Sequence, residues 1–104
     1  MKLVSVIVLS YRSAETIVET LDSIKSQTYP NIELIITDDC SPDNTVQVVQ
    51  EWIAENEGIL TAIKLVTSDR NTGLPANINR GLKAAEGVYY KGIAGDDYLT
   101  ADAI

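Results

Sequence analysis

Apolar residues gather in four short runs along the chain: "LVSVIVL" (3–9), "IELIIT" (32–37), "AIKLVT" (62–67) and "VYYKGIA" (88–94). The first is nearly continuous and rich in Val and Ile, the pattern of a strand covered on both faces. Helical patterns lie between the runs. In 14–27, Ala14, Ile17, Val18, Leu21 and Ile24 make one stripe, with Ser13 placed to cap it and Tyr29-Pro30 after its end. In 44–55, Val46, Val49 and Ile53 form a stripe that Val48 and Trp52 widen. In 74–85, Leu74, Ile78, Leu82 and Ala85 do the same, with Pro75 in the first turn and Gly87 just past the end. Gly81 inside that helix costs about 1 kcal/mol relative to Ala, which a close approach to the sheet offsets. Trp52 and Tyr89-Tyr90 are assigned to the core. The order βαβαβαβ predicts an α/β fold: a three-layer αβα, Rossmann-like arrangement around an open, mainly parallel sheet of about four strands. Residues 1–104 read as a single domain without a linker or low-complexity segment.

Composition narrows the chemistry. A hydrophobic fraction of 45% supports a folded core. A net charge of −7 argues against nucleic acid as a partner, because neutralising phosphates takes clustered Lys and Arg. There is no histidine, which removes the commonest general base and every His-assisted nucleophile. Cys40 is the single cysteine, so no internal disulfide forms, in keeping with a reducing, cytoplasmic setting. No apolar run approaches the roughly 20 residues needed to span a bilayer.

In an open parallel sheet, ligands bind outside the carboxyl ends of the strands. The residues predicted there are Ser10-Tyr11-Arg12, Thr37-Asp38-Asp39, Ser68-Asp69-Arg70-Asn71 and Gly95-Asp96-Asp97. Ser41-Pro42-Asp43-Asn44 reads as a helix start with Ser41 or Asp43 as cap, and Asn71-Thr72-Gly73 as a turn whose glycine takes a positive φ. Asn77 and Asn79 read as solvated, with Asn79 the better placed to brace the preceding loop. Arg70 is the better candidate of the two arginines for a phosphate contact. Two acid pairs on one edge suit a hard cation, Mg²⁺ or Mn²⁺, that bridges to phosphate. No Gly-x-x-x-x-Gly-Lys loop and no Gly-x-Gly-x-x-Gly fingerprint is present.

The ordered set of segments "VSVIVLSYRSAETIVETLDSIKSQTYPNIELIITDDCSPDNT", "NTGLPANINRGLKAAEG" and "IAGDDYL" resembles the opening of inverting family 2 glycosyltransferases with the GT-A fold. That resemblance implies a nucleotide-sugar donor, most often a UDP-sugar, and a divalent metal. By the same resemblance, Ser10 and Tyr11 frame the base, and Asp38 and Asp39 form the nucleotide-binding acid pair, with Asp39 on the uracil ring. The Asn71-Thr72-Gly73 turn flanks the nucleotide next to Arg70, Asp96 contacts ribose and metal, and Asp97 chiefly holds the metal. Ala94 stands where many members carry a further Asp, and Cys40 where a Gly is common. Family members are longer, and their general base and acceptor-binding residues are expected beyond residue 104. The chain is then the donor-binding half, expected to bind nucleotide weakly and to catalyse little alone. Further expectations are a saccharide or lipid-linked acceptor, a cytoplasmic location at the inner face of the membrane, and self-association through the face left by the missing part.

Two other readings compete. A phospho-receiver domain is also a small α/β sheet with acidic residues binding Mg²⁺, but its acid pair follows the first strand, which here ends in Ser10-Tyr11-Arg12. A non-catalytic interaction module derived from a transferase would share the fold and lack the chemistry.

Overall fold

The computed structural model describes residues 2–94. The predicted order is present: β1 (Val4–Ser10), α1 (Ile17–Lys25), β2 (Ile32–Asp38), α2 (Thr45–Glu55), β3 (Ala62–Thr67), α3 (Leu74–Ala84) and β4 (Tyr89–Ala94). All strand pairs are parallel, in the order β3-β2-β1-β4. Ser10 pairs with Asp38 and Leu9 with Ala94, so the carboxyl ends of β1, β2 and β4 are level. The chain steps outward from β1 to β3 and then returns across the sheet to β4. α1 and α2 therefore cover one face, and α3 covers the other.

The pleat sends alternate residues to these two faces. Val4, Val6 and Val8 of β1, with Leu34 and Ile36 of β2, pack against Ile17, Leu21 and Ile24 of α1 and Val49 and Trp52 of α2. This layer is closed and apolar. Its main polar intrusion is satisfied: the buried Trp52 indole N–H donates to Asp22 Oδ1 at 2.9 Å and ties α2 to α1.

The α3 face is different. Glu33 is the second residue of β2 and is 1% exposed. Its carboxylate accepts from Ser5 Oγ (2.9 Å) and the Glu86 amide (2.8 Å), and it pairs with Lys64 Nζ at 2.9 Å. Burial pushes the Glu33 carboxyl up, but the Glu86 amide, Lys64 and Ser5 together outweigh it and hold the pKa below the usual glutamate range. Lys64 also donates to the Ala84 carbonyl at the end of α3 (3.0 Å) and to Glu86 (3.1 Å). Its hydrogen bonds to Glu33 and Glu86 raise its own pKa.

Several expectations are corrected. α1 begins at Ile17, because 14–16 form a turn, and the Ser13 hydroxyl donates to the Tyr11 carbonyl (3.2 Å) in place of capping. Val18 is exposed, and Thr20 takes the buried position. α3 is rotated relative to the apolar stripe: Asn77 and Gly81 are buried, while Leu74 and Leu82 face solvent. Gly81 explains the rotation. A Cβ there would lie 2.6 Å from Ile7 Cγ2 and 3.1 Å from Thr37 Cγ2, so the helix seats on its smallest residue. Gly87 does not cap α3; a Cβ there would meet the Ser5 amide nitrogen at 2.7 Å, so glycine is required by contact with β1. Tyr89 and Tyr90 are 58% and 57% exposed on β4, not core. Among the described residues, no helix is long and apolar enough to cross a membrane.

Candidate functional site

A cleft of about 950 Å³ opens at the carboxyl edge, beside the point where the chain reverses its direction across the sheet. Ser10, Tyr11 and Arg12 line it from the end of β1, and Asp39 from the end of β2. Asn71, Gly73, Leu74 and Asn77 line it from the start of α3, and Ala94 from β4. Asp43 and Asn44 close the side nearest α2.

Asp38 and Asp39 are adjacent in sequence but face opposite layers. Asp38 is buried and turned away from the cleft. Its Oδ1 accepts from Ser10 Oγ (2.8 Å) and Ser41 Oγ (2.7 Å), and its Oδ2 from the Ser41 amide (2.9 Å). Asp39 is 4% exposed and turns toward α3. Its Oδ1 accepts from the Thr72 amide (2.9 Å) and Thr72 Oγ1 (2.6 Å), and its Oδ2 from the Gly73 amide (2.9 Å). Gly73 is the residue preceding α3, and α3 has no cap from its own side chains. Asp39 therefore caps α3 from across the sheet, with its charge at the positive end of the helix. Burial raises the Asp39 carboxyl pKa, but the Thr72 and Gly73 donors and the Arg80 charge more than reverse this and hold it below the usual aspartate range.

Two backbone features place these groups. Cys40 has φ 61° and Arg12 φ 53°, both left-handed. At Cys40 this is the conformation a glycine adopts freely, and a side chain there costs about 1 kcal/mol. The turn lets Ser41 fold back to Asp38, and Ser41 Oγ then accepts the Arg12 amide (3.0 Å). The Arg12 guanidinium lies 5.5 Å from the centre of the Tyr11 ring, within cation–π range. Asp43 acts at the start of α2: its Oδ1 accepts from the Thr45 amide (3.1 Å) and hydroxyl. The Thr45 hydroxyl bond, ahead of any effect of burial, lowers the Asp43 pKa. Thr45 Oγ1 in turn accepts the Ser13 amide (3.0 Å), joining the β1–α1 loop to α2.

Of the residues singled out in the sequence, Ser10, Tyr11, Asp39, Asn71 and Gly73 converge on the cleft. Asp38 supports it from behind, and Arg70 is exposed outside its lining. Asp96 and Asp97 lie outside the described residues. Asn77 and Arg80 were missed, and Thr72 was named only as part of the turn. Asn77, read as solvated, is buried and accepts from Thr37 Oγ1 at 2.7 Å, while Asn79, expected to brace the loop, is exposed. The signal was Gly81: a helix that meets the sheet through Gly81 also turns position 77 inward and places position 80 on the border of that face.

The family model for glycosyl transferase family 2 matches residues 5–104. The chain belongs to glycosyl transferase family 2. It is 35% identical over 102 residues to the poly(ribitol-phosphate) beta-N-acetylglucosaminyltransferase TarS of Staphylococcus aureus, covering 96% of this chain and 17% of TarS. A crystal structure of S. aureus TarS 1-349 in complex with UDP-GlcNAc superposes with a TM-score of 0.83 and 36% identity, over 97% of this chain and 28% of that one. The mannosyltransferase PcManGT of Pyrobaculum calidifontis, in complex with GDP-Man and Mn²⁺, superposes with a TM-score of 0.84 and 34% identity, over 91% of this chain and 28% of that one. The chain thus spans less than a third of each of these relatives, and its fold is that of GT-A glycosyltransferases.

Proposed function

We propose that the full-length protein is an inverting, metal-dependent glycosyltransferase that moves a sugar from a nucleotide-sugar, a UDP-sugar in particular, to an acceptor hydroxyl. The residues described here form its donor-binding half. The observation that carries this reading is the Asp39 carboxylate: it stays ionised, it lines the cleft, and it sits between the Ser10-Tyr11 backbone and the Asn71–Gly73 turn. An acceptor-only group at that place suits the N3–H of a uracil ring, with Tyr11 beside it as a face for the base. Structures of the relatives with UDP-GlcNAc and with GDP-Man and Mn²⁺ support a nucleotide-sugar in this cleft.

The carboxylates lining the described cleft are a poor fit for the metal. Asp39 and Asp43 are committed to hydrogen bonds, Glu15 is a single exposed carboxylate at the rim, and no cluster of three ligating side chains occurs among the described residues. The proposed ligands are Asp97 and Asp96, three and two residues past Ala94 at the cleft rim. A divalent cation there supplies charge neutralisation to the departing diphosphate. In this chain Asp39 selects and orients the base, the Asn71–Gly73 turn flanks the nucleotide, and the α3 amides hold Asp39 in place. The general base and a saccharide or lipid-linked acceptor site belong to the rest of the protein, working at the cytoplasmic face of the membrane. The exposed Val88 and its β4 neighbours Tyr89 and Tyr90 are the face proposed to receive that part or a second copy.

Calorimetric titration with UDP, GDP and CDP, with and without Mn²⁺, tests the reading. UDP is expected to bind best and to gain affinity from Mn²⁺. Asp39→Asn weakens UDP about tenfold or more, and Asp97→Ala removes the gain from metal. Equal weak binding of all three nucleotides, indifferent to Mn²⁺, refutes it.

A further inference from the structure

Arg80 has no part in the reading above, yet it holds the cleft's deciding carboxylate. It lies on α3, eight residues after Thr72, with its side chain running back toward the start of the helix. Nη1 donates to Asn77 Oδ1 at 2.9 Å, and Nη2 donates to Thr72 Oγ1 at 2.7 Å. The same Nη2 stands 3.7 Å from Asp39 Oδ1. Asn77 Oδ1 also accepts from Thr37 Oγ1, which anchors this end of the guanidinium to β2.

The directions of these bonds matter. A guanidinium only donates. With Nη2 donating into Thr72 Oγ1, the threonine's own proton is left to point at Asp39 Oδ1, as its 2.6 Å separation requires. Asp39 thereby receives two donors on Oδ1 and one, from Gly73, on Oδ2. A carboxylate offers about four acceptor positions, so one remains, on Oδ2. The guanidinium charge also keeps Asp39 from taking up a proton and becoming a donor.

We propose that Arg80 is a positioning residue that sets the cleft's choice of base: through Thr72 it fixes Asp39 as a single-orientation, acceptor-only group. The inference rests on the nucleotide-sugar reading. A fixed acceptor welcomes the N3–H of uracil and repels the N3 lone pair of cytosine. Arg80 itself touches neither base nor sugar; it acts through Thr72.

The test uses the full-length protein and its Arg80→Met and Arg80→Lys variants, with UDP and CDP as probes and amide hydrogen exchange as a second readout. In Arg80→Met the preference for UDP over CDP is expected to fall at least fivefold, with partial recovery in Arg80→Lys. Exchange at the Thr72 and Gly73 amides should speed up about tenfold while the β1 amides keep their parent rates. A merely structural role would weaken both nucleotides alike and accelerate exchange across the sheet; that result overturns the inference. A parent protein that prefers UDP beside an Arg80→Met variant that prefers it equally also overturns it, and leaves the nucleotide-sugar reading standing. A parent that binds neither nucleotide overturns both.

Discussion

The two faces of the sheet are built on different principles. Under α1 and α2, seven strand residues and five helix residues fill one apolar layer, and any side chain of similar size and shape would serve nearly as well. Under α3, the same strands present Ser5, Glu33 and Thr37, and the helix answers with Gly81, Asn77 and a hydrogen-bonded guanidinium. The first face supplies most of the burial energy. The second supplies direction: each bond has a fixed partner, and the series ends at the cleft. A family that varies its sugars can keep the first face as a platform and tune the second.

Substitutions can separate the two. Leu34→Ala, in the apolar layer, is expected to cost about 3 kcal/mol by chemical denaturation, through lost burial and a residual cavity. It should leave the relative affinities for UDP and CDP unchanged. A shift in that ratio would show that the faces are coupled.

Next in size is the response to acid. Glu33, Asp39 and Asp43 all have depressed pKa values in the folded chain. Their stabilisation is present above the unfolded carboxyl values near about 4 and is lost as pH falls through the lower folded values. Lys64 behaves oppositely: its raised pKa contributes below the ordinary lysine range and is lost as pH rises through the raised value. Thermal melts should therefore be flat between about pH 5 and 10 on account of these groups and should fall below about pH 4. Glu33→Gln is expected to cost about 1–2 kcal/mol at pH 7 and to flatten the acid limb. Leu34→Ala should lower the whole curve without changing its shape. An acid limb equally steep in Glu33→Gln would remove Glu33 from the account.

The smallest expected effect is a gain. Cys40→Gly relieves the left-handed strain and loosens the unfolded chain, for a net stabilisation of about 0.5 kcal/mol. A destabilised variant would mean that the Cys40 side chain contributes packing greater than its strain.

The sequence revealed one face far better than the other, and the reason is physical. Periodicity reports apolar partners, so the strands and the stripe of Ile17, Leu21 and Ile24 were legible. The same rule misplaced α3, because it assumed that Leu74 and Leu82 point to the sheet, whereas the sheet there mixes Ile7 with Ser5, Glu33 and Thr37 and leaves room only for Gly81 at the closest approach. Asp39 was legible from its place after a buried strand. Its neighbour Asp38 looked equivalent, and only the pleat distinguishes them. Arg80 left only the indirect trace of Gly81 beside it, since its partners Thr72 and Asp39 lie eight and forty-one positions earlier. The assignments of Asp96 and Asp97 rest on the family resemblance of "IAGDDYL" and on chain order.

The chain has a single tryptophan, Trp52, and it sits in the apolar layer with its indole N–H on Asp22. Its fluorescence is thus a built-in reporter of that layer, shifting to longer wavelength when α1 and α2 separate. Tyr11, at the lip of the cleft, offers a different chromophore to an arriving ligand. Emission excited at the red edge therefore follows unfolding without interference from occupancy, and both processes can be followed in one cuvette without attaching a dye.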